Sequence, residues 1–247
     1  MEPRQQVAIV IPVYNEQRTV REIALQALQV SSFVVIVDDG SSDATPDLVT
    51  DLPVKLLRHE TRLGKGAALA TGISVALEGE VTLVATIDAD GQHQPKHLNR
   101  FLEKLLRNPK AIVIGSRMSD RHAIPALRYF GNRVAAFWLS WACGQLVEDC
   151  LCGYRLFPRE VLERVSARTD VKRGFVYESE IIINASHAGY RLLSVKIPAI
   201  YRHDARASYF RPWRDTLEII AMVAGRFYHV PTNPAEEKAV IVQYLRI

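Results

Sequence analysis

Val81-Thr82-Leu83-Val84-Ala85-Thr86-Ile87-Asp88-Ala89-Asp90-Gly91-Gln92-His93-Gln94-Pro95 joins an apolar run to a polar turn and then to a helix-like segment. The run, residues 81–87, has strand length and is apolar but for two threonines, so it reads as a strand buried on both faces. At its end Asp88 and Asp90 stand two apart. In an extended or just-bending chain both side chains then point to one side and reach one cation, with the Gln92 amide oxygen next in line. Such oxygen ligands suit a hard divalent ion, Mg2+ or Mn2+, that leaves its remaining positions to water and substrate phosphates. Asp-x-Asp alone is also an ordinary strand-to-helix turn capped by Asp90, so its meaning depends on what the rest of the chain builds.

Working outward, the same alternation repeats. Residues 7–13 form a continuous apolar run ending in Tyr14-Asn15-Glu16, and Val20, Ile23, Ala24, Ala27 and Leu28 follow at helical spacing. Residues 33–37 form a second buried strand, closed by Asp38-Asp39-Gly40-Ser41-Ser42-Asp43, with a helix expected from Ala44. Residues 54–58 are a third strand, and Leu63-Gly64-Lys65-Gly66 opens a helix to about Ala76. That Gly-Lys-Gly lacks the spacer and the Ser/Thr of a P-loop, which leaves either an anion contact or a tight turn. The strand at 81–87, a helix from Pro95 to Leu106 and a strand at 111–115 closing at Ser116-Arg117 complete the series. Strands alternating with helices predict right-handed crossovers and a parallel sheet, and ligands in such sheets bind at the carboxyl ends of strands. Tyr14, Glu16, Asp38, Asp39, Asp88, Asp90 and Arg117 all fall at such ends, so they are expected to converge on one crevice. The turn after the first strand is Pro-Val-Tyr-Asn-Glu rather than Gly-x-Gly-x-x-Gly, which argues against a dinucleotide.

The chain has 247 residues, 48% hydrophobic and 23% charged, enough for one large α/β domain without an evident linker. Its formal charge of +4 favours anionic ligands or surfaces, and no basic stripe interleaved with aromatics suggests nucleic acid. Cys143, Cys150 and Cys152 have neither disulfide-framework nor zinc-site spacing, which points to a reducing compartment. No stretch reaches membrane-spanning length, so a cytoplasmic protein, soluble or peripheral, is expected.

Several segments together resemble a known family. They are Ile11-Pro12-Val13-Tyr14-Asn15-Glu16, Val37-Asp38-Asp39-Gly40-Ser41-Ser42-Asp43, Arg62-Leu63-Gly64-Lys65-Gly66, residues 88–95, Gly115-Ser116-Arg117, Asp149-Cys150-Leu151-Cys152-Gly153-Tyr154-Arg155-Leu156-Phe157 and Glu180 before Gly189-Tyr190. From about residue 7 to 210 the chain resembles the inverting glycosyltransferases of family 2, and among them the polyprenyl-phosphate sugar synthases of the dolichol-phosphate mannose synthase type. The resemblance implies a GT-A fold, Rossmann-like and three-layered with a mostly parallel central sheet, over residues 1–210. An amphipathic helix and tail would occupy 211–247. It implies a nucleotide-diphosphate-sugar pocket at Pro12, Tyr14, Glu16, Asp39, Asp88 and Ala89, and Mg2+ or Mn2+ on Asp88, Asp90 and Gln92. Arg117 and Arg202 resemble the arginines that hold the diphosphate or the acceptor phosphate, with Asp90 beside them in the catalytic set. One departure stands out: Ser208 replaces a lysine that the lipid-phosphate enzymes carry shortly after the second arginine, with Arg206 and Arg211 nearby.

The implied reaction transfers a hexose from a GDP-mannose or UDP-glucose type of donor to a polyprenyl or dolichyl phosphate at the cytoplasmic membrane face. A phosphate acceptor is already an anion near neutral pH and needs no general base. A glycan or small-molecule hydroxyl acceptor would need one, for which Asp149, Glu178 and Glu180 are the candidates. Glu178 and Glu180 are about 200° apart around a helix, so at most one of them faces the site. Asp149 has a plainer reading as a partner of Arg155 or a cap of the turn before the sixth strand, and His93 reads either as a contact to metal or phosphate or, more plainly, as a solvated loop residue. A sugar-nucleotide-binding subunit without catalysis is a further alternative, and an oligomer is possible. Residues 126–147, with Phe130, Phe137, Trp138, Trp141, Arg128 and Arg133, read as an interfacial or a core helix. The stretch 191–230 sets Arg191, Lys196, Arg202, Arg206, Arg211, Arg214 and Arg226 against Asp204, Asp215 and Glu218, which suits an anionic acceptor or membrane surface.

Overall fold

A computed structural model describes residues 6–165 and 174–200. Seven strands form one sheet: β1 (Val7–Val13), β2 (Phe33–Asp38), β3 (Lys55–Arg58), β4 (Leu83–Thr86), β5 (Ala111–Ser116), β6 (Arg155–Pro158) and β7 (Arg191–Lys196). Their order is β3-β2-β1-β4-β6-β5-β7. All neighbours run parallel except β6, which is antiparallel to both β4 and β5. The mostly parallel sheet expected from the sequence is therefore observed.

Side chains alternate across each strand, and this divides the core in two. Ala8 and Val10 of β1 pack with α2 (Lys65–Glu78), α4 (Ala126–Cys143), α5 (Arg159–Val165) and α6 (Gly174–His187) on one face. Ile9, Ile11 and Val13 pack with α1 (Val20–Leu28) and α3 (Leu98–Leu106) on the other. Three layers result. Phe101 and Ile9 are fully buried, and each such side chain contributes about 1.5–3 kcal/mol through removal from water.

The chain leaves β1 toward β2 and β3, then returns to β4 on the opposite side of β1, so the winding direction reverses between β1 and β4. Ligand crevices form at such reversals. Here β4 pairs with β1 only from Val7↔Leu83 to Val10↔Thr86, whereas β1 stays paired with β2 as far as Val13↔Asp38. The last residues of β1 thus have no strand on the β4 side, and Pro12, which lacks an N–H, is tolerated there.

Local differences from the sequence reading have physical causes. The helix expected from Ala44 is a single 3-10 turn, Asp47–Val49. Asp43 Oδ1 accepts the Thr45 N–H at 3.0 Å, Thr45 Oγ1 accepts the Glu16 N–H, and Gln17 Oε1 accepts the Ala44 N–H, so this loop is bonded to the β1 loop instead of winding. The helix expected from Pro95 starts as a 3-10 turn, Pro95–His97, before α3. Helix α4 ends at Cys143 rather than at residue 147, because Gly144 turns left-handed with φ of 63°. Arg202, Arg206, Ser208, Arg211 and the proposed 211–247 unit lie outside the described residues.

Candidate active site

The turn after β4 carries the two carboxylates. Lys65, the first residue of α2, reaches Asp88 Oδ1 at 2.7 Å and Glu178 Oε2 at 2.9 Å. Gly64 makes this reach possible: with φ of +102° it turns the chain into α2 so that Lys65 faces back across the crevice. Gly153, between α4 and β6, packs directly over the Asp88 carboxylate, and a Cβ there would collide with it. Burial alone would raise the Asp88 carboxyl, but the Lys65 ammonium outweighs it and holds Asp88 below the usual carboxylate range. Asp90 has no such partner: its Oδ1 accepts the Gln92 N–H at 2.9 Å, and no cationic side chain among the described residues forms an ion pair with it. Burial, with the Asp88 charge second, pushes Asp90 up to about 6.

Arg117, at the end of β5, is built into a buried network. Its Nε donates to Asp149 Oδ2 at 2.8 Å, its Nη2 to Asp149 Oδ1 at 3.0 Å and its Nη1 to Gln92 Oε1 at 3.1 Å. Asp149 also accepts the Arg117 backbone N–H and the Asn132 side-chain amide. The expected pairing of Asp149 with Arg155 is therefore corrected. Arg155 is 2% exposed and donates to the carbonyls of Cys150, Cys152 and Glu178 instead, while the Asp149 carboxylate is taken by Arg117 and Asn132. With four N–H donors on its two oxygens, Asp149 is a poor candidate base: burial would raise its carboxyl, but Arg117 holds it down. The Gln92 amide oxygen faces Arg117 as well as lying beside the carboxylates, which ties the turn to β5.

The other side of the crevice is stitched between the β1 and β2 loops. Asn15, the one non-glycine with positive φ (55°) among the described residues, donates its N–H to Ser41 Oγ, and its Oδ1 accepts the Ser42 N–H, both at 2.8 Å. Glu16 sits at the start of α1, where its carbonyl accepts the Thr19 and Val20 N–H groups. The Arg62 guanidinium lies 4.2 Å over the Tyr14 ring. Asp39 accepts N–H groups from Leu63 (2.9 Å) and Gly64 (2.8 Å), so the loop before Lys65 is tied to the carboxyl end of β2. The site thus brings together Pro12, Tyr14, Glu16 and Asp39 on one wall, and Asp88, Ala89, Asp90, Gln92 and Arg117 on the other.

Sequence reasoning missed Asn132 and Gly153 as individual contributors, and the reading of His93 as solvated is corrected. That ring is 1% exposed, with Nε2 3.8 Å from Asp88 Oδ2 and 4.0 Å from Cys152 Sγ, not a solvated loop residue. Burial, then the Arg117 charge, pushes His93 down to about 4. The unfolded chain binds a proton near pH 6.5 and the folded one does not, so His93 costs stability as pH falls from 6.5 toward 4. Asp90, shifted upward, has the opposite sign between about 4 and 6. The expected result is therefore a difference: His93→Asn loses less melting temperature than wild type between pH 7 and pH 5, followed by thermal denaturation.

Among the described residues no three His, Cys, Asp or Glu side chains converge as metal ligands. The donor set is instead two carboxylates at a strand end, one ionised beside Lys65 and the other pushed up by desolvation and its neighbour's charge. That fits a hard divalent ion completed by water and phosphate oxygens. No described helix is long and apolar enough to cross a membrane.

The family model described as Glycosyl transferase family 2 matches residues 8–166. An uncharacterized protein of Methanocaldococcus jannaschii is 32% identical over 203 residues, 80% of this chain and 83% of its own. UDP-N-acetylglucosamine–dolichyl-phosphate N-acetylglucosaminyltransferase of Methanococcus voltae is 29% identical over 219 residues, 79% of this chain and 86% of its own. Polyprenol monophosphomannose synthase of Mycolicibacterium smegmatis is 27% identical over 206 residues, 79% and 77% of the two chains. Among solved structures, glucosyl-3-phosphoglycerate synthase from Mycobacterium tuberculosis in complex with Mn2+ and UDP-glucose superposes with a TM-score of 0.67. It covers 93% of this chain and 81% of its own at 19% identity, a likeness of fold. With its sheet, its strand-end carboxylates and a family match over most of its length, the chain belongs to glycosyl transferase family 2 and is a glycosyltransferase of GT-A fold.

Proposed function

We propose that the protein transfers a sugar, with inversion, from a nucleoside-diphosphate sugar to a polyprenyl phosphate, using Mg2+ or Mn2+ held by Asp88 and Asp90. The observation that carries this reading is the half-buried Asp88–Asp90 pair at the β1/β4 reversal, in which Asp90 forms no ion pair with a cation among the described residues. When bound there, the ion neutralises charge on the departing diphosphate. Tyr14 with Arg62 and Asp39 hold the nucleoside on one wall, and Lys65 keeps Asp88 ionised and aimed. Arg117, rigid in its clamp, contributes fixed positive charge beside the site at no reorganisation cost. Displacement at the anomeric carbon follows from the acceptor oxygen's own charge.

The phosphate acceptor is supported by the two relatives whose names specify dolichyl phosphate and a polyprenol monophosphate sugar. It is also supported by the state of the candidate bases: Asp149 is saturated, and Glu178 is paired with Lys65. Glu180, 9% exposed on the same helix, keeps the hydroxyl-acceptor alternative open to test. A membrane face suits Leu127 and Phe130 at the start of α4, which are 54% and 61% exposed near Arg121 and Arg128. The test is transfer of labelled sugar from UDP-, GDP- and dTDP-sugars to a short polyprenyl phosphate, to the matching polyprenol and to 3-phosphoglycerate. Product on polyprenyl phosphate alone, abolished by EDTA, is expected; product on polyprenol or phosphoglycerate instead contradicts the acceptor reading.

A further inference from the structure

His59 follows β3 and has no part in the motifs that identify the family, yet it is placed with both ring nitrogens bonded. Nδ1 lies 2.9 Å from Asp39 Oδ1, and Nε2 lies 3.0 Å from Thr71 Oγ1 on α2. The ring is 12% exposed and the Asp39 carboxylate 4%. A carboxylate only accepts, so Nδ1 carries a proton and donates to Asp39, while the bond between Nε2 and the Thr71 hydroxyl fixes the ring's orientation. Among the described residues, Asp39 Oδ1 takes His59 and the Leu63 N–H, while Oδ2 takes the Gly64 N–H. Three donors from two segments therefore set the torsion of this carboxylate, and His59 is the only side chain among them. The two amides belong to the loop that delivers Lys65 to Asp88, so the same carboxylate joins the nucleoside wall to the metal wall.

We infer that His59 is a positioning residue of the donor site: by holding the Asp39 carboxylate it sets the affinity for the nucleoside end of the donor, while the diphosphate end is left to the other wall. This rests on the reading of Asp39 as a nucleoside contact. Without His59, Oδ1 loses one of its two donors and the carboxylate gains freedom that binding must then remove.

The experiment is calorimetric titration of wild type and variants with UDP, GDP and dTDP, and with inorganic pyrophosphate as a probe of the diphosphate end alone, all in Mg2+. For whichever nucleotide binds wild type tightest, His59→Ala is expected to weaken binding on the order of tenfold, with pyrophosphate affinity within about twofold of wild type. His59→Asn, whose amide N–H occupies the place of Nδ1–H, is expected to restore most of the loss. Thr71→Val, which removes only the far bond, gives a smaller loss and serves if His59→Ala does not fold. Equal weakening of nucleotide and pyrophosphate, or no weakening by His59→Ala where Asp39→Ala does weaken nucleotide, overturns the role of His59. If Asp39→Ala itself leaves nucleotide affinity unchanged, the underlying reading of Asp39 fails instead.

Discussion

Asp90→Asn is expected to lower sugar transfer by at least about a hundredfold, the scale on which removal of a preorganised electrostatic contact acts, while raising the melting temperature of the metal-free protein. Both parts follow from one observation. Asp90 is half-buried against Asp88 and forms no ion pair with a cation among the described residues; desolvation and the Asp88 charge place its folded-state pKa, about 6, above its unfolded value. Keeping it ionised at pH 7.5 therefore costs folding free energy, and that cost vanishes in a neutral amide of the same shape, which still accepts the Gln92 N–H. A group that destabilises the empty fold and is required by the bound one is a common trade at functional sites. Activity assays alongside thermal denaturation in EDTA check the pair of outcomes. Loss of activity with a lowered melting temperature would instead mark Asp90 as structural.

The second large effect belongs to stability. Asp149→Ala strands the Arg117 guanidinium, 7% exposed, without its bidentate partner, and removal of one member of a buried pair costs about 3–5 kcal/mol. Asn132 loses its acceptor as well. Urea denaturation should show that loss in the midpoint at an unchanged slope. The double replacement Arg117→Met with Asp149→Leu, which buries no charge, is expected to recover most of the stability and none of the transfer activity. That separates the clamp's contribution to folding from the fixed charge it presents to the donor.

These two sites also show what a single sequence reveals. The parallel strands were legible because they are buried on both faces: Val7–Val13, Phe33–Asp38 and Ala111–Ser116 are apolar without alternation, and polar groups crowd their carboxyl ends. Asp88, Asp90 and Asp39 could be placed on one crevice because right-handed crossovers put every such end on the same edge. What could not be read depends on contacts distant in sequence. Asp149 had two arginines within range of a guess, Arg155 near and Arg117 32 residues away, and only the antiparallel insertion of β6 beside β4 decides between them. Burial of His93 follows from Cys152 and Tyr154 arriving from the same insertion. The helix expected after Asp43 failed for a local reason with a distant partner: its polar residues bond the β1 loop, and no periodicity reports that.

The central claim is that Asp88 and Asp90 hold a divalent ion on which donor binding depends. Thermal denaturation of wild type and Asp90→Ala with UDP-, GDP- and dTDP-sugars, each with Mn2+, with Mg2+ and with EDTA, tests it directly. A ligand present at a hundred times its Kd stabilises by about 2.7 kcal/mol, a shift of several degrees for a chain of this size. The account predicts that at least one donor gives such a shift in wild type only with metal, and that Asp90→Ala shows none. A donor that stabilises both proteins equally, or stabilises wild type as well in EDTA, would contradict it.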